Sequence, residues 1–253
     1  MDGLRTELDG AIMTVVLEKA PVNALTSALY QALGDLFLSF VARRDFNVVV
    51  VTSACRTFCA GKDLKEFMGA TLEDDPNQAF IVRRAFEAIR HCPVPVIAAV
   101  NGAALGAGCV IAAVCDIRIA SETATFGLPE INVGRCGGAA HVGRLIPQGA
   151  LRRMYFTGEP ISAQTAYRLG LVDQVTAPED LAGEVRALAE KIAAKSPVGL
   201  RIGKKSMNEA EELPLDMGYA REQTYSTQLM ATADAREALH AIVEKRPPVF
   251  VGR

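Results

Sequence analysis

Three stretches of this chain carry residues whose types and spacing could do chemistry. Residues 58–65, Phe-Cys-Ala-Gly-Lys-Asp-Leu-Lys, form a glycine turn after a buried-looking strand. Residues 100–109, Val-Asn-Gly-Ala-Ala-Leu-Gly-Ala-Gly-Cys, form a second one. Residues 127–134, Gly-Leu-Pro-Glu-Ile-Asn-Val-Gly, follow with a single carboxylate. Glycine and alanine allow close backbone approach, and the first N–H groups of a helix have no partner within it. A strand–turn–helix start can therefore aim a free N–H and the positive end of the helix dipole at a developing negative charge. Two such turns can supply two donors to one oxygen, with Glu130 at hand to move a proton. The bland alternatives are close helix–strand packing at 101–109 and a dipole-stabilised surface carboxylate at 130. These stretches alone do not choose between the readings.

The elements that must position these turns are legible from periodicity. Pro95 to Val100 is a short apolar β run, and Val110 to Val114 suits a buried helix. Upstream, Leu4 to Leu8 and Ile12 to Leu17 read as two strands joined by an Asp9-Gly10 hairpin turn. Pro21 to Leu25 breaks the pattern, and Thr26 or Ser27 can cap a helix. Leu29, Leu33, Leu36, Phe37 and Phe40 make one apolar face of that helix. Val48 to Val51 is continuous and β-branched, the mark of a strand covered on both faces.

Residues 66–79 are acidic and rich in helix breakers, and read as a mobile loop. Helix resumes near Ala79 and ends by His91, where Pro93 and Pro95 force an exit. Strands are expected at 116–120, 125–127 and 172–175, and a small-residue turn at 137–140 leads into a helix that reaches Leu145. A helix capped by Ser162 lies within 157–170. From Pro178 the chain is helical, roughly 179–195, 198–211, 215–230 and 232–245, with Ser196-Pro197 as the clearest boundary. The expectation is an α/β core over 1–195 and a C-terminal helical subdomain over 196–253.

Composition narrows the functional classes. The 253 residues are half hydrophobic and 22% charged, ordinary for a globular enzyme. A net charge of −2 gives no global signal for nucleic acid. No uncharged apolar run approaches the roughly 20 residues of a membrane span, and Met1 to Arg5 lacks the apolar core of a signal peptide. The six cysteines (55, 59, 92, 109, 115, 136) lack zinc-ligand spacing and read as reduced thiols in a cytoplasmic protein. No catalytic serine–histidine–acid set, metal triad or phosphate loop stands out.

The chain resembles the crotonase, or enoyl-CoA hydratase/isomerase, superfamily along nearly its whole length. The most specific segments are Ala60-Gly61-Lys62-Asp63-Leu64, Asn101-Gly102 with Gly106-Ala107-Gly108, Cys115 to Ala120, and Pro129-Glu130. The resemblance implies an α/β, crotonase-like spiral of ββα units, whose terminal helices pack on the core, cover the active site or meet a neighbouring subunit in a homotrimer or homohexamer. It implies a coenzyme A thioester as substrate, with no separate cofactor and no metal.

By the same resemblance, the backbone N–H groups of Lys62 and Ala107 would hold the thioester oxygen, with Glu130 transferring protons. Val22, Ala60, Asp63 and Leu64, beside Lys62, would lie near the adenine and pantetheine, and Lys65, Lys245 or Arg246 near the phosphates. Hydratases of this family use two glutamates sharing one water. The second matches Glu130; the first falls at position 110, which here is Val110. One carboxylate suffices to shuttle a proton between two carbons, so isomerisation or atypical hydration is expected, with decarboxylation and thioester hydrolysis open on the same site. Glu66, Glu73, Asp74, Asp75 and His141 are candidates to assist. The rival expectation is a binding protein that has lost catalysis, RNA being one ligand; the small basic clusters Arg152-Arg153 and Lys204-Lys205 speak against it.

Overall fold

Val48 to Val51 sets the architecture. In the structure, a computed structural model that describes residues 3–69 and 71–253, these valines lie in strand β4 (Val48–Ser53) and are all buried. Successive side chains of a strand point to opposite faces. Val49 and Val51 join the main core, while Val48 and Val50 join a second cluster on the far side of the sheet. Both faces are therefore covered, as the continuous apolar run predicts.

The sheet around β4 has six strands. β1 (Leu4–Asp9) and β2 (Ile12–Leu17) are the expected hairpin, paired antiparallel from Leu4↔Leu17 to Asp9↔Ile12. β2, β4, β6 (Val96–Val100), β8 (Ile117–Ser121) and β11 (Gln174–Thr176) then run parallel in that order. Three short pieces, β3 (Ala24–Leu25), β5 (Gly61–Lys62) and β7 (Ala104–Leu105), were not legible as strands because two residues carry no periodicity. β3 pairs with β5, and β7 with β9 (Thr125–Gly127), which also pairs with β10 (Ile161–Ser162). A parallel bridge Cys59↔Ala104 joins the two groups into a second layer.

Helices fill the space between and outside the layers. α1 (Ser27–Ser39) starts at Thr26, whose side chain accepts from the Leu29 N–H. Its predicted face is buried at Leu29, Leu33, Leu36 and Phe37. On the opposite side of the sheet, α8 (Leu181–Ala193) lays Leu181, Val185 and Ala189 over Ile12, Val48, Val50 and Ile97. Each such fully buried aliphatic side chain contributes about 1.5–3 kcal/mol.

The segment expected to be a loop over 66–79 is largely helical. α2 (Leu64–Met68) begins at Asp63, and α3 (Asp75–Arg90) begins four residues before Ala79. Pro76 sits in the first turn, where a missing N–H costs nothing, so it starts the helix rather than breaking it. Ala70 of that segment, and Met1 and Asp2 of the N-terminal reading, lie outside the described residues.

Downstream, the helix expected to reach Leu145 is only α5 (Ala139–Val142), ended by Gly143. α6 (Gln148–Thr157) was not foreseen. α7 (Ala163–Leu169) is capped by Ser162 as expected. The C-terminal helices α9 (Pro197–Ala210), α10 (Leu215–Met230) and α11 (Ala233–Val243) follow the predicted spans closely. α9 is pinned to the core by Lys204, which is buried and donates to Asp116 Oδ2 (2.6 Å) and the Val94 carbonyl (3.1 Å).

Candidate active site

The second glycine turn delivers the chain from β7 into α4 (Ala107–Val114). Gly106 is its hinge, at φ +54°, a conformation that glycine adopts at no steric cost. Its own N–H is used by the Gly127 carbonyl (2.9 Å), and its carbonyl accepts from Val110, the start of the helical ladder. The Ala107 N–H stands at the first helical position, where no intrahelical acceptor exists. The dipole of α4 adds partial positive charge there.

The first glycine turn arrives beside it. Gly61 has φ +93°, and a Cβ placed on it would lie 2.9 Å from the Leu105 carbonyl oxygen and 3.5 Å from the Ala107 nitrogen. Any side chain at 61 would thus fill the space in front of the Ala107 N–H. The Asp63 N–H bonds Leu25 of β3, so strand alternation turns the Lys62 N–H to the other side. A Cβ on Gly108 would collide with the Cys59 backbone, which explains the small residues at the helix start.

Asn23 organises the first turn from behind. It is fully buried at φ +53°. Its Oδ1 accepts from the Lys19 N–H (2.7 Å), and its Nδ2 donates to Ser53 Oγ (2.7 Å) and the Phe58 carbonyl (2.9 Å). The chain entering the glycine turn is therefore fastened at both ends, by this side chain and by the Ala60 N–H bond to the Val22 carbonyl (3.0 Å).

Glu130 completes the constellation. It lies in a 3₁₀ turn (Pro129–Val133) immediately after β9. A Cβ on Gly106 would lie 3.0 Å from its Oε1. Its Oε2 is buried without a hydrogen-bond partner among the described residues. Burial raises the carboxyl pKa, opposed by the residue's own backbone N–H. An unpartnered carboxylate held away from water beside two glycine turns is suited to exchanging a proton with a bound ligand.

Position 110 is apolar in fact as well as in sequence. Val110 is buried, and its Cγ2 lies 2.9 Å from a Cβ placed on Gly138, the residue before α5, with Leu128 beside it. The buried Tyr30 and Cys109 thiol are both influenced by Glu130. Burial is the chief cause that raises each, with the Glu130 charge contributing to both, and Cys109 is pushed up to about 12. Tyr30 showed no constellation in the sequence. Only the fold brings it, edge-on to Phe86 at 6.0 Å, into the neighbourhood of Glu130 and Glu66.

The remaining candidates have other engagements. Glu66 accepts from the Ser27 N–H and hydroxyl, capping α1. Asp74 accepts from Thr71 (2.8 Å), Asp75 pairs with Arg135 (2.6 Å), and Glu73 is exposed. His141 packs edge-on against Phe86 at 5.8 Å, and burial, then the Arg144 and Arg90 charges, lower its pKa.

Near the expected coenzyme side, the Asp63 carboxylate caps α2 through the Lys65 and Glu66 N–H groups and lies 3.5 Å from Lys19 Nζ. Leu64 is exposed. Arg246 is committed to Glu237 and Glu244, whereas Lys245 takes a left-handed turn at φ +54°.

Fold and site define a class: a two-layer α/β protein in which two glycine turns and one desolvated acid converge. The profile of the enoyl-CoA hydratase/isomerase family matches residues 7–253, and the chain belongs to that family, the crotonase superfamily, as an enzyme acting on acyl-CoA. It is 40% identical over 239 residues to the 2,3-dehydroadipyl-CoA hydratase of Escherichia coli, covering 91% of each chain. It is 35% identical over 243 residues to a Mycobacterium tuberculosis (7aS)-7a-methyl-1,5-dioxo-2,3,5,6,7,7a-hexahydro-1H-indene-carboxyl-CoA hydrolase, covering 95% of this chain and 98% of that one. The solved enoyl-CoA hydratase of Bacillus anthracis superposes with a TM-score of 0.95 at 32% identity, over 100% of both chains.

Proposed function

We propose that the chain converts an enoyl-CoA thioester through an enolate, with the Lys62 and Ala107 N–H groups donating to the thioester oxygen. In isomerisation Glu130 takes the proton from one carbon and returns it to another carbon of the same substrate; in an atypical hydration it takes a proton from water as the water oxygen bonds the β carbon, and a proton is delivered to the α carbon of the enolate. Removing a proton next to the carbonyl places negative charge on that oxygen. Fixed donors in a dry site stabilise it without reorganisation, each lowering the barrier by about 3–4 kcal/mol. The supporting observation is the convergence at Gly106, where the free helix-start N–H and Glu130 Oε1 flank one glycine.

Val110 decides between reactions. Ordinary water addition uses one group to activate oxygen and one to deliver a proton to carbon. With valine at that position, double-bond isomerisation or an atypical hydration is the favoured outcome. Hydrolysis or decarboxylation on the same oxyanion site is the second reading, favoured by the similarity to a carboxyl-CoA hydrolase. Coenzyme A enters as part of the substrate, along Val22, Ala60, Asp63, Leu64 and Lys65.

Residues 196–253 form the helical layer through which we expect a homotrimer or homohexamer. Leu239, Ile242 and Val243 of α11 are at least 64% exposed in the single chain, an apolar surface that a second copy would cover. No helix among the described residues is long and apolar enough to cross a membrane. With unpaired cysteines throughout, a cytoplasmic role in fatty-acid or related acyl-CoA metabolism fits.

The test is Glu130→Gln assayed on a panel of enoyl-CoA esters for hydration and double-bond migration. A fall of at least about 100-fold in kcat is expected; undiminished turnover removes Glu130 from the mechanism.

A further inference from the structure

Arg135 lies five residues beyond Glu130, and the proposed chemistry leaves it unused. Its backbone N–H donates to the Glu130 carbonyl (3.0 Å), which ties its placement to that of the acid. Its guanidinium stacks over the Phe67 ring at 4.5 Å. The Lys62 ammonium lies 5.3 Å from the same ring. One aromatic ring of α2 therefore bridges the residue whose N–H serves the first turn and the loop that carries Glu130. Arg135 Nη2 also reaches Asp75 Oδ1 at the start of α3 (2.6 Å). The Asp75 carboxyl is held below its ordinary range, first by Arg135 and also by the Lys62 charge.

The guanidinium approaches Asp75 through Nη2, and among the described residues Nε and Nη1 form no hydrogen bond with another side chain or backbone carbonyl. Contact with the Phe67 ring and the Asp75 carboxylate restrains the guanidinium from two sides. A half-exposed arginine resting on an aromatic ring, with donors left over, is suited to take a carboxylate in bidentate fashion. Arg135 and Lys62 share the Phe67 ring, and Asp75 is the one carboxylate paired with the guanidinium, so this three-residue cluster carries one positive charge in excess. A purely hydrocarbon acyl chain would gain nothing from that charge and would have to desolvate it.

We propose that Arg135 selects acyl-CoA substrates bearing a second carboxylate at the far end of the acyl chain, with Asp75 as the internal acid that holds the guanidinium until substrate arrives. The inference rests on the acyl-CoA reading of the site and names the substrate class within it. The similarity to a hydratase of 2,3-dehydroadipyl-CoA, an ester of a dicarboxylic acid, is in line with it.

Two pairs of six-carbon esters test the idea in the full-length protein. Hex-2-enoyl-CoA and 2,3-dehydroadipyl-CoA differ only in a terminal methyl or carboxylate, and hexanoyl-CoA and adipoyl-CoA are their unreactive counterparts for calorimetry. The wild-type chain is expected to prefer the acidic member of each pair by at least about tenfold, the worth of one charge-assisted contact. Arg135→Met should erase most of that preference, through KM in turnover and through Kd in calorimetry. Asp75→Asn should increase it. Equal binding of adipoyl-CoA and hexanoyl-CoA by the wild type, or an unchanged ratio in Arg135→Met, overturns the proposal. If neither enoyl ester turns over, the reaction proposed above fails, while the calorimetric ratio still decides the role of Arg135.

Discussion

Glu130 stands directly over Gly106: a Cβ at position 106 would lie 3.0 Å from Oε1 and 3.7 Å from the carboxyl carbon. The same glycine turns the chain into α4 and leaves the Ala107 N–H free. Acid and donor are thus separated by the absence of one methyl group. Gly106→Ala is expected to push the carboxylate aside and to strain the backbone at φ +54°, ψ −121°, a conformation nearly confined to glycine, at about 1–3 kcal/mol of stability. In kcat the expected loss is about 100-fold, the scale of one misplaced oxyanion donor. Thermal melts beside steady-state kinetics separate the two effects, and a folded variant with full kcat would refute the arrangement.

The half-buried Glu130 carboxyl also predicts a pH signature. Its pKa is raised in the folded chain by burial, so it keeps its proton to higher pH than a solvated glutamate. If its carboxylate is the base, kcat/KM falls on the acid side through a pKa above the ordinary glutamate range. The stability sign is opposite to that of a salt-bridged acid. The favourable contribution is full below the unfolded-state pKa and is lost as pH rises through the folded one. Glu130→Gln cannot ionise, so its stability relative to wild type should climb across that same window. Melting curves of both proteins across a pH series check this; parallel curves would mean that the carboxyl is solvated.

How much of this was readable beforehand follows from range. Leu4–Leu17, Val48–Val51 and the α1 face are governed by short-period burial, and the structure reproduces them. The turns at 61 and 106 could be found because glycine is a local requirement. Their convergence could not, since it depends on the pairing of two-residue strands and on the single bridge Cys59↔Ala104. Residues 75–79 were misread because Asp-Pro-Asn looks like a breaker, although proline in a first turn starts a helix. Tyr30 and Arg135 carry no motif, and only tertiary placement brings them near Glu130.

Val110 offers a gain-of-function test. Its Cγ2 faces Gly138 and Leu128, so an acid here would enter an apolar wall. Val110→Glu is expected to cost about 2–4 kcal/mol by placing a carboxylate in partly dry surroundings. A nearby second negative charge should raise the Glu130 pKa further. In exchange the pair could divide the two duties of water addition. Hydration of a short enoyl-CoA should rise relative to double-bond migration, by about tenfold. Product ratios read by chromatography check it; an unchanged ratio in a folded variant would show that position 110 is not what limits hydration.

Asn23 gives the prediction that links stability most directly to catalysis. Its side chain satisfies the Lys19 N–H and the Phe58 carbonyl from a fully buried position. Asn23→Ala leaves both without partners, at about 1–3 kcal/mol each, and places a Cβ-bearing apolar residue at φ +53°, which asparagine tolerates better. A total loss of about 3–5 kcal/mol is expected by urea denaturation. Asn23→Asp keeps the acceptor for Lys19 but turns a carboxylate oxygen on the Phe58 carbonyl in place of a donor, so it should lose at least as much as Asn23→Ala. The Phe58 carbonyl is four residues from the Lys62 N–H, and freeing it releases one end of the glycine turn. The folded fraction of Asn23→Asp should therefore show reduced kcat with little change in KM, because a displaced donor matters most when charge develops on the oxygen. Should kcat per folded molecule stay at the wild-type value, the turn must be positioned by the Ala60–Val22 bond alone, and Asn23 would be a residue of stability rather than of the site.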